Sequence, residues 1–489
     1  MIGPRFTTNP FDDDHLHEEC AIVGIQGLPD VGAHAALGLH ALQHRGQEAA
    51  GIVTSDGDQF HAHRDLGLVG DIFGEKSVIE QLEGTMAIGH TRYSTTGRPN
   101  LRNVQPLFAD FEFGGLAIAH NGNLTNALSV RHDLVCRGCI FHSTTDTEVI
   151  IHLVATSTGG TVVDRMVDAL RQVEGAYSII ALTKDSIIGV RDPSGVRPLV
   201  IGKLGDAHIL ASESCAFDII AADYVRDVEP GELVVLDAGG VHSHRPFPAA
   251  PKRFCIFEYI YFSRPDSMVE GVSVYEARKR IGAELAREAP VEVDVVVPVP
   301  DSGVPSAIGY AHETGIPYEM GIIRNHYVGR TFIEPEDEIR HFGVKLKHNA
   351  NRAHIAGKRV VLVDDSIVRG TTSSKIVEMM RNAGAAEVHM RVASPPVSHS
   401  CFYGVDTPDR DELLAAKLDV EGMRELIGAD SLSFISIDGL YRAMGEPGRD
   451  ADAPQFCDAC FSGEYPIRLT DQENGNGNSK QLSLLADTA

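Results

Sequence analysis

The chain of 489 residues contains no run of eighteen or more apolar residues, so we expect no membrane span. Its first nineteen residues, MIGPRFTTNPFDDDHLHEE, also lack the apolar stretch of a secretory signal. Basic residues are scarce, with 43 Lys and Arg against 68 Asp and Glu, which gives a net charge of −25. Because nucleic-acid phosphates are bound mainly by Lys and Arg, we expect no nucleic-acid partner. We expect a cytoplasmic protein whose eight cysteines are reduced thiols, nucleophiles or metal ligands rather than disulfides.

Three common sequence patterns are also missing. The chain has no Walker A motif, no G-x-G-x-x-G fingerprint and no internal repeat. Its length predicts two or three domains. A composition of 43% hydrophobic and 23% charged residues is typical of a globular protein.

The pattern of secondary structure changes near the middle of the chain. From Cys20 to about residue 250, strand-like runs such as AIVGI and GLAIAHNGNL outnumber helical patterns such as TDTEVIIHLVATS. This predicts stacked sheets with helices outside. From about residue 270, strand and helix patterns alternate, as in KRVVLVDDSIVRGTTSSKIVEMMRNAG, which predicts a parallel α/β sheet.

The Pro-rich stretch RPFPAAPKRF, residues 245–254, predicts the boundary between these two parts. We therefore expect one domain over 20–250 and a second over 251–468. The final residues, 469–489, are polar and low in complexity, and predict a disordered tail.

A lone cysteine stands where the charged lead meets the apolar run AIVGI. One interpretation of Cys20 is a buried structural cysteine at the start of a strand. The other supposes that residues 1–19 are removed as a propeptide. Cys20 would then carry a free α-amino group with a reference pKa of about 7.7–8.0. That amine could act as general base for its own thiol, as in an N-terminal nucleophile.

Four polar stretches could complete such a site, although each alone could be a turn or a surface feature. The stretches QHRGQE and HTRYSTTG contain Arg45 and Arg92, and a guanidinium can hold a carboxylate. In AHNGNL, the Asn121 amide and the Gly122 N–H could form an oxyanion hole. In STTDTE, Asp146 could bind an ammonium group.

Together and in this order, these stretches resemble the glutaminase domain of class II glutamine amidotransferases. The resemblance implies an N-terminal-nucleophile hydrolase with four layers, αββα. It implies that Cys20 is the nucleophile and that Asn121 and Gly122 stabilise the oxyanion. It also implies that Arg45, Arg92 and Asp146 bind glutamine. Ala21 departs from the pattern, since many members have Gly after the nucleophile.

The stretch VVLVDDSIVRGTTS, residues 360–373, is the strongest single signal in the second half. Four apolar residues predict a buried parallel strand, and Asp364 and Asp365 follow at its carboxyl end, where ligands of open α/β sheets bind. Small and hydroxylated residues then open a helix whose N–H groups suit a phosphate. The carboxylates suit ribose hydroxyls or Mg²⁺. A generic strand-turn-helix with acidic surface residues is the alternative.

This stretch resembles the phosphoribosyl-pyrophosphate (PRPP) loop of type I phosphoribosyltransferases, which implies a parallel α/β domain. Ser302, in PVPDSGVPSA, matches a second strand end, and the resemblance implies that Ser302, Asp364 and Asp365 hold Mg²⁺. Many relatives have Lys at the position of Arg324. The charged stretch RNHYVGRTFIEPEDEIRHFGVKLKHN is expected to cover the substrate. The residues implied to bind PRPP are Arg324, Arg330, Lys345, Lys347, Asp364, Asp365, Ser366, Arg369, Gly370, Thr371, Thr372 and Ser373.

Four cysteines of the second half form a further set: Cys255, Cys401, and the C-x-x-C of Cys457 and Cys460. Four thiolates suit tetrahedral Zn²⁺ or a [4Fe–4S] cluster, and ordinary reduced thiols are the third possibility. Three other cysteines are expected to be structural, namely Cys136, Cys139 and Cys215.

The whole chain, apart from its tail, resembles the amidophosphoribosyltransferase family, in the branch with a propeptide and an iron–sulfur cluster. The resemblance implies α+β and α/β folds in tandem, with glutamine and PRPP as substrates, and 5-phosphoribosylamine, glutamate and pyrophosphate as products. It implies one Mg²⁺ and one [4Fe–4S] cluster per subunit, the latter on the four cysteines above. It also implies a homotetramer that purine nucleotides inhibit by feedback.

Three alternatives share parts of these patterns. A glutamine-dependent sugar-phosphate aminotransferase would need a sugar isomerase domain in place of VVLVDDSIVRGTTS. A stand-alone salvage phosphoribosyltransferase would leave the first half without a role. A purine-sensing repressor would need a basic DNA-binding module, which the net charge of −25 argues against.

Overall fold

The computed structural model describes residues 17–18, 20–92, 100–325 and 348–474. Across these ranges, every helix is too short or too polar to span a bilayer.

The first half contains two antiparallel sheets whose strands are buried on both faces. This double burial explains near-continuous apolar runs such as AIVGI, since alternate residues point to opposite faces. The seven-stranded sheet has the spatial order Asp223–Asp227, Val200–Leu204, Ala207–Ala211, Cys20–Gln26, Met86–Arg92, Ala49–Ser55 and Phe60–Leu66. The six-stranded sheet has the order Gly240–His244, Leu233–Asp237, Ile187–Arg191, Gly175–Leu182, Gly114–Leu124 and Leu107–Phe111.

Helices cover the outer face of each sheet. Val31–Ala41 and Cys215–Ile219 pack on the seven-stranded sheet, through a core that includes Ala21 and Leu39. Thr147–Thr156 and Val162–Leu170 pack on the six-stranded sheet. A third core, which includes Ile22 and Ala119, fills the space between the sheets. The predicted αββα layering is therefore confirmed.

The second half contains a four-stranded parallel sheet. Hydrophobic cores cover both of its faces, with Val274–Glu288, Val304–Thr314 and Ile437–Ala443 on one side and Thr371–Asn382 and Val420–Ile427 on the other. The predicted parallel α/β domain is confirmed. The spatial order of its strands is Val295–Pro298, Arg359–Asp364, Glu387–Val392 and Ser431–Phe434.

Shorter elements connect these layers. The remaining helices of the described ranges are Val69–Ile72, Lys76–Ile79, Ala127–Cys136, Arg352–Ile355, Ala459–Ser462 and Thr470–Glu473, the 3₁₀ turns Gln43–Arg45, Leu101–Asn103, Arg410–Glu412 and Leu414–Ala416, and the π-helix Glu258–Phe262. The remaining strands pair in twos: His17–Glu18 with Val405–Asp406, Phe254–Cys255 with Phe456–Cys457, Met268–Val269 with Val272–Ser273, and Ile322–Arg324 with His348–Ala350.

The expectation that disorder begins at residue 469 is corrected by the structure. Thr470–Glu473 is a helix, and Asp471 docks it on the first half. The Asp471 carboxylate accepts hydrogen bonds from the backbone N–H groups of Leu128 and Ser129, at 2.8 and 3.0 Å. These groups lie in the first turn of Ala127–Cys136 and have no partner within that helix, so Asp471 caps it from a distant part of the chain.

Candidate active sites

Cys20 begins a central strand of the seven-stranded sheet. Its side chain is buried, and the strand pairs antiparallel with Met86–Arg92 so that Cys20 lies opposite Arg92. Directly opposed residues of an antiparallel pair project from the same face, so the thiol and the guanidinium share one side of the sheet. Gly46 packs on this strand end, because a Cβ there would lie 2.7 Å from the Arg92 nitrogen. The cysteine and the arginine expected in one site are therefore neighbours.

Asn121 reaches the same layer from the other sheet. Ile22 and Ala119 both lie in the core between the sheets, and Cys20 and Asn121 are each two residues further along those strands. The twofold alternation of strands therefore turns Cys20 and Asn121 toward the same space. Cys20 begins its strand and Asn121 lies near the end of its own, so the two residues are at the same end of the layer between the sheets.

Ser212 joins the two sheets at this point and was not singled out from the sequence. Its hydroxyl accepts a hydrogen bond from the Ile22 N–H at 3.0 Å and one from Asn121 Nδ2 at 3.3 Å. Asn121 is fully buried, so this bond orients an amide that has little room to turn. Serine is too common in turns for the sequence ASESCAF to have revealed this role.

Gly122 occupies a position that excludes any side chain. Its φ is +141°, and a Cβ there would lie 2.1 Å from the carbonyl oxygen of Ala176. Gly122 therefore has no side chain to obstruct its backbone N–H, which is a donor of the kind found in oxyanion holes.

Asp146 lies at the helix side of the six-stranded sheet, just before Thr147–Thr156. Its carboxylate accepts from the Leu124 N–H at 2.9 Å and lies 3.6 Å from His120 Nδ1. Burial by itself raises the pKa of Asp146. His120 and hydrogen bonds from the backbone of Leu124 and Thr147 lower this pKa to below its ordinary value. The carboxylate is therefore ionised at neutral pH and able to hold a cationic group. His120 is a second residue that sequence reasoning missed.

The expectation that Arg45 binds a substrate carboxylate is corrected by the structure. Its guanidinium is buried and already holds two carboxylates of the protein. Arg45 Nε pairs with Glu213 Oε1, and a terminal nitrogen lies 2.6 Å from Glu258 Oε2. Arg197 also pairs with Glu258, at 3.1 Å. We call Arg45, Arg197, Glu213 and Glu258 the interdomain charge cluster, since Glu258 lies in the second half and the others in the first.

One member of the interdomain charge cluster, Glu213, also forms hydrogen bonds with the second half. Glu213 also accepts from the Arg264 N–H at 2.8 Å and from the Ser267 hydroxyl at 2.7 Å, both in the second half. Burial alone would raise the pKa of Glu213, but Arg45 and His44 lower it to below the usual range. All four members are at most 1% exposed. Buried charges are tolerated when they are paired and hydrogen-bonded in this way.

At the carboxyl end of the parallel sheet, Asp364 and Asp365 are both buried. Asp365 accepts hydrogen bonds from the hydroxyls of Ser302 and Ser366, at 2.5 and 2.7 Å. Two parallel strand ends thus contribute oxygen atoms to one place, as the sequence predicted for Ser302. Oxygen ligands of this kind fit Mg²⁺, whose remaining positions are usually filled by water and substrate oxygens.

A third missed residue, Arg278, lies behind these carboxylates. Its buried guanidinium donates to the carbonyl oxygens of Tyr259, Tyr261 and Ser263, at 2.9, 2.7 and 2.6 Å. Burial lowers the pKa of Arg278 to about 10, against the opposing effect of Asp365. Arg278 therefore connects the segment that carries Glu258 to the carboxyl end of the parallel sheet.

Gly370 turns the chain from this strand into the helix Thr371–Asn382. It has φ +81°, in the left-handed region that glycine adopts without strain. The first turn of the helix holds Thr371, Thr372 and Ser373, whose N–H groups begin the helix and suit a phosphate.

The predicted cationic residues of this site lie at its edge. Arg369 pairs with Glu412 at 3.0 Å, and Arg324 pairs with Asp301, beside Ser302. Both side chains are partly exposed, so both pairs are accessible to solvent. Three further predicted PRPP ligands lie outside the described residues, namely Arg330, Lys345 and Lys347.

The four cysteines of the second half come together in one hydrophobic core. Cys255 and Cys457 are opposite each other in a parallel strand pair, and the Cys460 carbonyl accepts from the N–H groups of Ser398 and His399, which lead to Cys401. The pKa of Cys255 is raised to about 12, mainly by burial, and Cys401 is among the groups that contribute to this rise. The pKa values of Cys457 and Cys460 are raised by burial and by the neighbouring thiols.

In the described ranges, no three His, Cys, Asp or Glu side chains stand in a ready arrangement for a metal ion. The four thiols share one core, and ionised thiolates in such a place would be unfavourable without an opposite charge. The other cysteines lie apart from them. Cys136 is exposed, Cys139 is half-buried, and Cys215 is buried with its pKa raised by burial and by Glu213.

Comparisons with known proteins agree with this division into two sites. A family described as "Glutamine amidotransferase domain" matches residues 90–218, and one described as "Phosphoribosyl transferase domain" matches residues 271–394. An amidophosphoribosyltransferase from Rhizobium etli is 58% identical over 486 residues, which cover 98% of each chain. One from Bacillus subtilis is 49% identical over 93% of this chain and 95% of its own.

Solved structures agree as well. Glutamine PRPP amidotransferase from Bacillus subtilis, complexed with ADP and GMP, is 48% identical and superposes with a TM-score of 0.87. That comparison covers 92% of this chain and 98% of the other. A structure described as the allosteric regulatory enzyme of purine biosynthesis is 47% identical, with a TM-score of 0.90 over 95% of this chain and all of the other.

A matched pair of substitutions tests whether Arg45 is structural. Arg45→Lys keeps one positive charge but loses the planar fork that holds two carboxylates, so we expect a lower melting temperature with the KM for glutamine changed less than about twofold. Arg92→Lys is expected to do the reverse, raising that KM and leaving the melting temperature unchanged. Thermal unfolding and initial rates measure both quantities. A raised KM for Arg45→Lys without loss of stability would contradict the correction.

Proposed function

The chain belongs to the amidophosphoribosyltransferase family, and we propose how its two sites share that family's reaction. The protein releases ammonia from glutamine and transfers it to PRPP. The products are 5-phosphoribosylamine, glutamate and pyrophosphate, in the first step of de novo purine biosynthesis. The observation that carries the proposal is the presence of both sites in one chain, Cys20 beside Arg92 and Ser302 beside Asp365.

The matches to two families remove two of the alternatives. A sugar-phosphate aminotransferase would lack the phosphoribosyl transferase domain of residues 271–394, and a stand-alone salvage enzyme would lack the amidotransferase domain of residues 90–218. We assign residues 20–250 to glutamine hydrolysis and residues 251–468 to the phosphoribosyl transfer.

In the first site, the α-amine of Cys20 takes the proton of the thiol, and the thiolate attacks the amide carbon of glutamine. The oxyanion that forms accepts hydrogen bonds from Asn121 Nδ2 and the Gly122 N–H. The amine then returns the proton to the leaving nitrogen, the C–N bond breaks, and ammonia departs from a glutamyl thioester. Water hydrolyses the thioester to glutamate and the free thiol. The bond from Asn121 to Ser212 supports this assignment, because it orients the amide.

Glutamine is held by its own α-groups. Asp146 binds the α-ammonium, and its lowered pKa supports this role because the carboxylate is charged at neutral pH. Arg92 binds the α-carboxylate, next to Cys20 on the same face of the sheet. Two opposite charges that bind the two α-groups would set the orientation of the substrate.

In the second site, ammonia attacks C1 of the ribose as the bond from C1 to the pyrophosphate oxygen breaks. The transition state has oxocarbenium character, so charge on the leaving pyrophosphate needs stabilisation. Asp364 and Asp365 hold the ribose hydroxyls, and the N–H groups of residues 370–373 hold the 5-phosphate at the start of the helix. The predicted cover over the substrate falls on residues 324–349, of which residues 326–347 lie outside the described part of the chain.

Two groups complete the second half. Ser302, Asp364 and Asp365 would hold one Mg²⁺, which supplies positive charge to the pyrophosphate oxygens. The four cysteines, Cys255, Cys401, Cys457 and Cys460, would hold one [4Fe–4S] cluster with a structural role, in support of which their thiols share one core. We therefore propose that the protein belongs to the iron–sulfur branch of the family. Residues 1–19 would be its propeptide.

Purine nucleotides are the proposed feedback inhibitors. The related Bacillus subtilis structure is described as a complex with ADP and GMP, both purine nucleotides. An inhibitor of this kind matches the end product of the pathway that the reaction begins. We propose a homotetramer as the assembly.

The proposal requires a processed N-terminus. Active enzyme should begin at Cys20, because only a free α-amine can take the thiol proton there. Intact mass and N-terminal sequencing of the active fraction measure this. Full activity in molecules that still carry residues 1–19 would contradict the assignment of Cys20 as an N-terminal nucleophile.

The metal proposal predicts about four irons per chain in protein purified without oxygen, since a [4Fe–4S] cluster contains four. Cys457→Ser should lower the iron content and the melting temperature, because cluster binding is coupled to folding. Cys139→Ser is the matched control and should keep both. Iron and zinc analysis with visible absorbance provides the measurement, and one zinc per chain without iron would overturn the proposal.

The two chemistries should separate by mutation. Cys20→Ala, made with a free N-terminus, should lose synthesis from glutamine but keep synthesis from ammonium at raised pH, where free NH₃ replaces the missing supply. Asn121→Ala should lower the glutamine-dependent kcat by roughly 10²–10³-fold and spare the ammonium reaction. Asp365→Asn should fail with either nitrogen source.

The controls for these variants are Cys136→Ala and Asp294→Asn, both at exposed positions away from the sites, which should keep both activities. Product formation with amide-labelled glutamine and with ammonium gives the two rates. Loss of both activities in folded Cys20→Ala protein would refute the division of labour.

A further inference from the structure

A segment of the second half reaches the glutaminase site of the first. Residues 401–406, in the stretch CFYGVD, run past the end of the strand Gly114–Leu124. Gly404 is in contact with Gly122, because a Cβ on Gly404 would lie 2.8 Å from the Cα and 3.1 Å from the carbonyl carbon of Gly122. The residue that follows Gly122 is also bound to this segment, since Asn123 Nδ2 donates to the Phe402 carbonyl at 2.9 Å.

Contacts within the second half hold the 401–406 segment in place. Tyr403 is buried, and its hydroxyl donates to the Ile467 carbonyl at 2.5 Å and accepts from the Ile467 N–H at 3.0 Å. The ring of Phe402 packs edge-on against Tyr465, with 5.3 Å between centroids. The Cys401 N–H donates to the Thr407 hydroxyl at 2.7 Å. These contacts give the segment a fixed position against which Gly122 can rest.

Gly122 is therefore enclosed from two sides. The carbonyl of Ala176 lies where a side chain would project, and Gly404 lies against its Cα. An oxyanion-hole donor must lie 2.7–3.1 Å from the position that the oxyanion will take, so small displacements matter. Neither glycine can be replaced without moving this part of the backbone.

We propose that Gly404 is a positioning residue for glutamine hydrolysis. It belongs to the phosphoribosyl half and contacts no substrate, and it acts by holding the Gly122 N–H at the oxyanion. The inference rests on the proposed function, since it takes Asn121 and Gly122 as the oxyanion donors. It means that the second half completes the active site of the first, beyond receiving its ammonia.

Gly404→Ala tests the proposal, with Gly445→Ala as a matched control. The two glycines have nearly equal φ values, +98° and +97°, so the backbone strain of alanine is the same at both. A Cβ on Gly445 meets no atom within 4 Å, whereas one on Gly404 must displace Gly122. Carbon atoms in contact lie about 3.5–4.0 Å apart, so the shift approaches about 1 Å.

A displacement of this size at a reacting centre can cost about 10²-fold in rate. We therefore expect Gly404→Ala to lower the glutamine-dependent kcat by about that factor. The KM for glutamine and the ammonium-dependent kcat should stay unchanged, because glutamine binding and the second site are not involved. Gly445→Ala should leave all three values unchanged. Initial rates of processed enzyme with glutamine and with ammonium measure them.

If Gly404→Ala does not fold, a second variant, Asn123→Ala, tests the role of the 401–406 segment. Asn123→Ala removes the bond to Phe402 and should lower the glutamine-dependent kcat by about fivefold, the value of one ordinary hydrogen bond, without affecting the ammonium reaction. Equal losses with both nitrogen sources, or a Gly404→Ala enzyme with the rates of Gly445→Ala, would overturn the inference. Loss of glutamine use in Asn121→Ala but not in Gly404→Ala would leave the proposed function intact and reject only the role of Gly404.

Discussion

The interdomain charge cluster is the interaction on which the relation between the two halves depends. Arg45, Arg197 and Glu213 come from the first half and Glu258 from the second, and none of them has more than 1% of its surface exposed. Removing one partner of a buried ion pair typically costs about 3–5 kcal/mol, because the other charge is left without compensation. The halves can therefore turn relative to each other only by exposing or separating these charges. The contact of Gly404 with Gly122 relies on this fixed relation, because the two glycines belong to different halves.

Both sites are built at the ends of strands, for reasons that follow from sheet geometry. Cys20, Arg92 and Asn121 are at or near the end of their strands, and alternation turns Cys20 and Asn121 into the layer between the sheets. In the second half, parallel strands bring the Ser302 loop and the Asp364–Asp365 pair to one edge. Strand interiors hold the position of each site, while the residues just beyond them remain accessible to substrates.

Most of the fold and much of each site could be predicted from the sequence, because their signals are local. Apolar runs of defined period predicted the strands and helices, and short motifs predicted Cys20, Asn121 and Asp365. The misjudged residues have partners far away along the chain. Arg45 is paired with Glu258, which is 213 positions away, and the helix at Thr470–Glu473 is stabilised through Asp471 by a helix that begins at Ala127. Ser212, His120 and Arg278 were missed for the same reason, since only the folded chain brings their partners near.

The short strand before the nucleophile pairs with a partner near the other end of the chain. His17–Glu18 forms its ladder with Val405–Asp406, in the segment that also carries Gly404. During synthesis, residues 17–18 leave the ribosome first and must wait until almost the whole protein has emerged before this partner exists. The pairing of residues 17–18 thus becomes available only late, after most of the phosphoribosyl half has been made. A partly synthesised chain contains the glutaminase sequence but lacks both the strand that pairs with residues 17–18 and the glycine that contacts Gly122.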